Sequence, residues 1–171
     1  MNQTSAPEVA PEAASEAASG FSEAELRQAI ELLFFAYRDF TAEPDEILAE
    51  YGFGRAHHRV IYFVGRNPGV TVSNLLEILR ITKQSLSRVL GQLLREGFVT
   101  QESDLQDRRK RHLNLTKKGQ DLETTLTTLQ SRRIAQAYAE AGADTAKEFR
   151  KVLRGIINKD DRNRVATLDL E

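Results

Sequence analysis

The residues with chemistry to offer lie between Thr82 and Lys118. Gln84, Ser87, Arg88, Gly91 and Arg95 recur at helical spacing, with Gln92 beside them. A helix there would present them on one side. Amide, hydroxyl and guanidinium groups in such a row can read base edges or hold phosphates, and the glycine lets a backbone come close. A second cluster, Arg108, Arg109, Lys110 and Arg111, follows directly on Asp107. Four adjacent cations repel one another, so either water solvates them or an anion sits beside them. Two helix starts add a third signal. Lys83, Gln84 and Ser85 follow Thr82, and Lys117 and Lys118 follow Thr116, with no carboxylate in either first turn. Cations at the positive end of a helix dipole are unfavourable alone, and an external phosphate reverses that sign.

The charge distribution points the same way. Over all 171 residues the formal net charge is −1, but residues 55–118 hold 13 Lys/Arg against 5 Asp/Glu, a net of +8. Residues 1–54 carry −9 and residues 119–171 are neutral. A polyanion partner is therefore expected for the middle of the chain only. There is no cysteine, which excludes disulfides, thiol switches and Cys-ligated zinc. The histidines are His57, His58 and His112. A zinc site would have to recruit carboxylates such as Glu31 or Glu50, and none is expected. With no phosphate-cradling glycine loop and no nucleophile motif, neither catalysis nor a cofactor is expected. No apolar run is long enough for a bilayer, and the N-terminus lacks the pattern of a secretion signal, so a soluble cytoplasmic protein without membrane contact is expected.

These groups need elements to position them. Residues 1–20 are Ala, Glu, Ser and Pro with little to bury, and read as a disordered acidic arm. Ser22 caps a helix carrying Leu26, Ile30, Leu33, Phe34 and Tyr37, expected to end near Thr41 before Pro44. Asp45 then caps a short turn, and YGFG is a break. A helix from Arg55 to Arg66 stops at NPG. Val70–Val72 forms a short strand, and Ser73 caps the next helix. Thr82 caps another, with Leu86, Val89, Leu90, Leu93 and Leu94 inward and Gly97 as its stop. Strands over Phe98–Glu102 and Arg111–Leu115 flank the cationic loop. A long helix follows Thr116, a break falls near Gly142, and a last helix spans Asp144–Asn158. The expected fold is mainly α with a small antiparallel β-wing, a winged helix-turn-helix with flanking helices.

Residues 71–119, TVSNLLEILRITKQSLSRVLGQLLREGFVTQESDLQDRRKRHLNLTKKG, resemble the MarR family of bacterial transcription regulators. The D-x-R wing motif at Asp107-Arg108-Arg109 and L-T-x-x-G at Leu115–Gly119 carry the resemblance, which extends over about residues 22–158. Residues 34–64 further resemble the family's alphaproteobacterial PetP-like subgroup. Lys110 and Arg111 depart from the small and apolar residues usual there. The resemblance implies a homodimer, interlocked through a segment at 21–54 and helices within 120–158, with a DNA-binding lobe at 55–119 and a tail at 159–171.

The expected function is sequence-specific binding of double-stranded DNA on a near-palindromic operator. A recognition helix at about Thr82–Glu96 would enter the major groove, and a wing at about Ser103–Arg111 the minor groove. The nominated DNA contacts are Thr82, Lys83, Gln84, Ser85, Ser87, Arg88, Arg95, Arg108, Arg109, Lys110, Arg111, Lys117 and Lys118, with Asp107 orienting the wing. The resemblance also implies a small anionic or aromatic effector. Phe35, Phe40, His57, His58 and Tyr62 are nominated for its pocket, although aromatic stripes mostly pack in cores. The alternative is a winged-helix protein-interaction module without specific DNA binding.

Overall fold

The computed structural model describes residues 20–104, 110–142 and 144–166, except for the side chains of Asn163, Arg164 and Ala166. It divides into two compact units, one ending at Thr41 and one beginning at Ala42. Helix α1 (Glu23–Glu50) belongs to both.

In the first unit, Ser22 and Glu25 form a reciprocal cap. The Ser22 amide donates to Glu25 Oε2 at 2.7 Å, and the Glu25 amide donates to Ser22 Oγ at 3.3 Å. The Ser22 hydroxyl also donates to Glu25 Oε2 at 2.7 Å, and this bond first, then that from the Ser22 amide, holds the Glu25 carboxyl below its ordinary value. The apolar series Leu26, Ile30, Leu33, Phe34 and Tyr37 is helical as expected, yet every member is exposed in the single chain.

The second unit corrects one expectation. The helix does not end before Pro44 but runs through it to Glu50. An interior proline costs about 3 kcal/mol through its missing donor and ring clash. Continuing the helix brings Pro44 and Leu48 to full burial, and each fully buried side chain of leucine size returns roughly 1.5–3 kcal/mol. Asp45 therefore caps nothing. It lies inside α1 and accepts from Arg55 Nε at 2.8 Å. Glu43 of the same turn pairs with Arg132 and Arg133 at 3.1 and 2.8 Å.

After the break at 51–54 come α2 (Arg55–Arg66), β1 (Val70–Thr71), α3 (Val72–Leu79), α4 (Lys83–Arg95), β2 (Val99–Ser103), β3 (Arg111–Leu115), α5 (Lys117–Ala141), α6 (Thr145–Ile156) and α7 (Lys159–Ala166). The cap of α3 is Thr71, whose hydroxyl accepts from the Asn74 amide, rather than Ser73. Helix α7 was not foreseen. The sheet is antiparallel in the order β1-β3-β2, with Val70 opposite Leu113 and Val99 opposite Leu115. One core holds the lobe together: Val60, Ile61 and Val64 of α2, Leu75 of α3, four residues of α4, Phe98, Leu113, and Leu122 and Leu126 of α5. The arm expected at 1–20 lies outside the described residues except for Gly20.

Candidate nucleic-acid interface

Helix α4 is amphipathic in a way that separates support from display. Leu86, Val89, Leu90 and Leu93 are buried. Lys83, Gln84, Ser87, Arg88 and Arg95 on the other side are exposed and take no hydrogen-bond partner among the described residues. Thr82 fixes the start of the helix: its Oγ1 accepts from the Ser85 amide at 3.2 Å and donates to Ser85 Oγ at 2.9 Å. Both hydroxyls therefore belong to the cap first. The turn before it needs a left-handed residue, and that residue is Arg80, at φ 49° and ψ 43°. Arg80 is held by Asp161 of α7 at 3.1 Å.

Gln92 is not part of the free row. Its Oε1 lies 3.0 Å from His57 Nε2. The Gly54 amide donates to His57 Nδ1, so Nε2 carries the proton and donates to Gln92. His57 is also stacked on Phe53, with ring centroids 4.7 Å apart. This chain of contacts locks α4 against the start of α2.

The second cationic cluster divides. Asp107, Arg108 and Arg109 lie outside the described residues. Lys110 is exposed, and its carbonyl accepts from the Asp104 amide at 3.1 Å, closing the root of the hairpin. Arg111 opens β3 as expected, despite its departure from the usual residue type, and donates to Ser103 across the strand pair. The helix start at α5 also has internal partners. Lys117 pairs with Asp121 at 2.7 Å. Lys118 donates to the Glu96 carbonyl at 3.1 Å and sits 4.0 Å from the Phe98 ring centroid.

With this geometry in place, comparison with known proteins is informative. Residues 51–110 match the MarR family. The transcriptional regulator PetP of Rhodobacter capsulatus is 47 % identical over 137 residues, covering 80 % of this chain and 82 % of the relative.

The chain belongs to the MarR family.

Solved structures share the fold. Streptococcus pneumoniae FabT in complex with DNA aligns at a TM-score of 0.69 and 21 % identity, over 77 % of this chain and 94 % of that one. A MarR-family regulator from Silicibacter pomeroyi aligns at 0.63 and 20 %, over 75 % and 86 %. This MarR-family chain is thus a DNA-binding regulator of the helix-turn-helix type. No helix among the described residues is long and apolar enough to cross a membrane. No group of three or more His, Asp or Glu among them could hold a metal ion.

Of the residues nominated for an effector, His57, His58 and Tyr62 are engaged or buried within this MarR-family lobe. His57 holds Gln92. His58 is buried, and burial pushes its imidazole below the ordinary 6.5, against the upward pull of Asp45 and Glu123. Tyr62 packs edge-on against Phe63. In the first unit Phe35 is exposed, with the Arg38 guanidinium 4.7 Å from its ring centroid, and Phe40 is half-buried. A cleft of about 460 Å³ lies elsewhere, lined by Ile47, Tyr51, Phe98, Lys118 and Leu122 among others, and by none of the five nominees. Sequence reasoning missed Arg80 and the His57–Gln92 link, of which only His57 carried a signal, as one of three histidines in the chain.

Proposed function

We propose that two copies of this chain bind one near-palindromic operator, each setting α4 into a major groove with half-sites about one helical turn apart. The observation that carries this reading is the row Lys83, Gln84, Ser87 and Arg88. It is exposed and without partners among the described residues, on a helix whose other side carries the buried Leu86, Val89, Leu90 and Leu93. Unspent donors on a rigid support are what base and phosphate recognition requires. Gln84, Ser87 and Arg88 read bases, while Lys83 and Arg95 hold phosphates. Ser85 and Thr82 contribute what the cap leaves free. Lys110 and Arg111 contact the backbone beside the minor groove, and Arg109, oriented by Asp107, enters it together with Arg108. Lys117 and Lys118 already have internal partners, so they rank as secondary phosphate contacts.

The dimer rests on apolar surface. Ile30 and Phe34 of α1 are 69 % and 63 % exposed, and Val152 and Ile156 of α6 are 60 % and 61 % exposed. Rows of this kind on a monomer mark an interface. A small anionic aromatic effector would act by favouring one spacing of the two lobes over another. Its action is expected in the cytoplasm, where the operator is.

The test is a fluorescence-anisotropy titration of the full chain on genomic operator fragments and on random duplex, over a range of salt. Tighter binding to selected fragments, with affinity falling steeply as salt rises, is expected from counterion release. Affinity that ignores both sequence and salt would favour a protein-interaction module instead. A thermal-shift screen with benzoic acids tests the effector.

A further inference from the structure

His112 stands in the middle strand of the sheet at the root of the wing, and both its ring nitrogens are engaged. Nδ1 lies 2.8 Å from the Gly69 carbonyl oxygen, and Nε2 lies 2.8 Å from Asp104 Oδ2. A carbonyl and a carboxylate can only accept, so both nitrogens must donate. A neutral imidazole has one N–H and would turn a lone pair towards one of the two acceptors. The imidazolium alone satisfies both. Each end of this bridge is fixed in turn. The Gly69 amide donates to Leu113 and to Asn114 Oδ1, and the Asp104 amide donates to the Lys110 carbonyl.

We propose that His112, as an imidazolium, is the positioning residue of the wing: it clasps the hairpin root to the segment before β1 and makes operator affinity depend on pH. This rests on the reading of the chain as a DNA binder with a wing in the minor groove. The surroundings favour the charged ring. Asp104 faces it from the root, and Glu102 stands opposite it on β2. Thr71, opposite on β1, is uncharged. Lys110 is the opposing cation. Leu113, the next residue, is buried against the core, so the helices beneath the sheet lie on its other side. The hydrogen bond to Asp104, followed by that to Gly69, raises the His112 imidazole above its ordinary 6.5. A raised value means the clasp is complete below the ordinary histidine range and is lost as pH rises through the raised one.

The experiment is a pH series at constant ionic strength on the full-length wild type, His112→Gln and Asp104→Asn, reading operator affinity and the imidazole NMR signals of His112. Wild-type affinity should fall, by about tenfold, as the ring deprotonates. His112→Gln, which does not titrate, should lose that slope, and Asp104→Asn should move the midpoint of the His112 signal downwards. A slope unchanged in His112→Gln, or a ring that titrates at or below the ordinary value, overturns the clasp and leaves DNA binding intact. Wild type that binds no duplex at any pH overturns both. Should His112→Gln fail to fold, Asp104→Asn and the wild-type ring signal decide the matter alone.

Discussion

The backbone of Gly119 and the carbonyl of Phe98 are in such close approach that a Cβ on Gly119 would fall well inside van der Waals contact of that oxygen. The Thr116 amide donates to the same carbonyl at 3.0 Å, and the Thr116 hydroxyl donates to Gly97 at 2.7 Å and accepts from the Gly119 amide. The start of α5 is thus stitched to the start of β2, and L-T-x-x-G is the sequence that permits it. Gly119→Ala should therefore destabilise the fold at or above the upper end of the roughly 1–3 kcal/mol typical of overpacking, because backbone cannot step aside as a side chain can. Urea denaturation checks it. Gly155→Ala, with nothing near its Cβ, is the control.

Gly91 has the opposite character. It is interior to α4 and has open space around its Cβ. Gly91→Ala should raise stability by up to about 1 kcal/mol, the helix-propensity difference. If a DNA backbone comes close to that spot, as the proposed docking has it, the same change should weaken operator binding. Melting temperature and operator affinity measured together will show whether the two move in opposite directions.

Base reading and phosphate holding predict different mutant behaviour. Arg88→Ala should cost about 1–3 kcal/mol at its preferred base pair and relax selectivity there. Lys83→Ala should weaken all sequences alike and lower the salt slope by about one unit. Wild-type selectivity in Arg88→Ala would remove that residue from the reading set.

The exposed apolar row of α1 predicts the assembly. Phe34→Glu or Ile30→Glu should move the protein from dimer to monomer in sedimentation velocity, while far-ultraviolet circular dichroism stays helical. A wild-type monomer at micromolar concentration would contradict the two-copy operator reading.

His58 and His112 should pull stability in opposite directions with pH. Burial lowers the His58 value, so its contribution is complete above the ordinary 6.5 and is lost as pH falls through the depressed one. His112 is raised, so its contribution is complete below 6.5 and is lost as pH rises through the elevated value. Replacing His58 with Gln should flatten the acid limb of a stability-versus-pH curve, and replacing His112 should flatten the neutral-to-alkaline limb. Denaturation midpoints across that range provide the check.

Much of the fold was legible because its signals are local. The bounds of α2, the caps at Ser22, Thr82 and Thr116, the stop at Gly97 and the start of β3 at Arg111 all follow from residues within a turn of where they act. The inner face of α4 was equally plain, since leucines at helical spacing have one place to go. The end of α1 was misread because a local rule about Pro44 met a burial term that is set by residues far along the chain. Gln92 was assigned to the outer face for a similar reason. Its helical position allows either role, and the choice belongs to His57, 35 residues away.

The sequence alone therefore determined the order of elements as far as α6, the basic lobe and the row of donors on α4, because periodicity, capping chemistry and charge are properties of neighbouring residues. Only the tertiary structure decided which donors of the basic lobe remain unspent. Lys118 was taken by Phe98 and Glu96, Gln92 by His57, and His112 by Gly69 and Asp104. A hydrogen bond or a ring contact needs its partner within a few ångströms, and that distance is fixed by packing between segments that are remote in the chain.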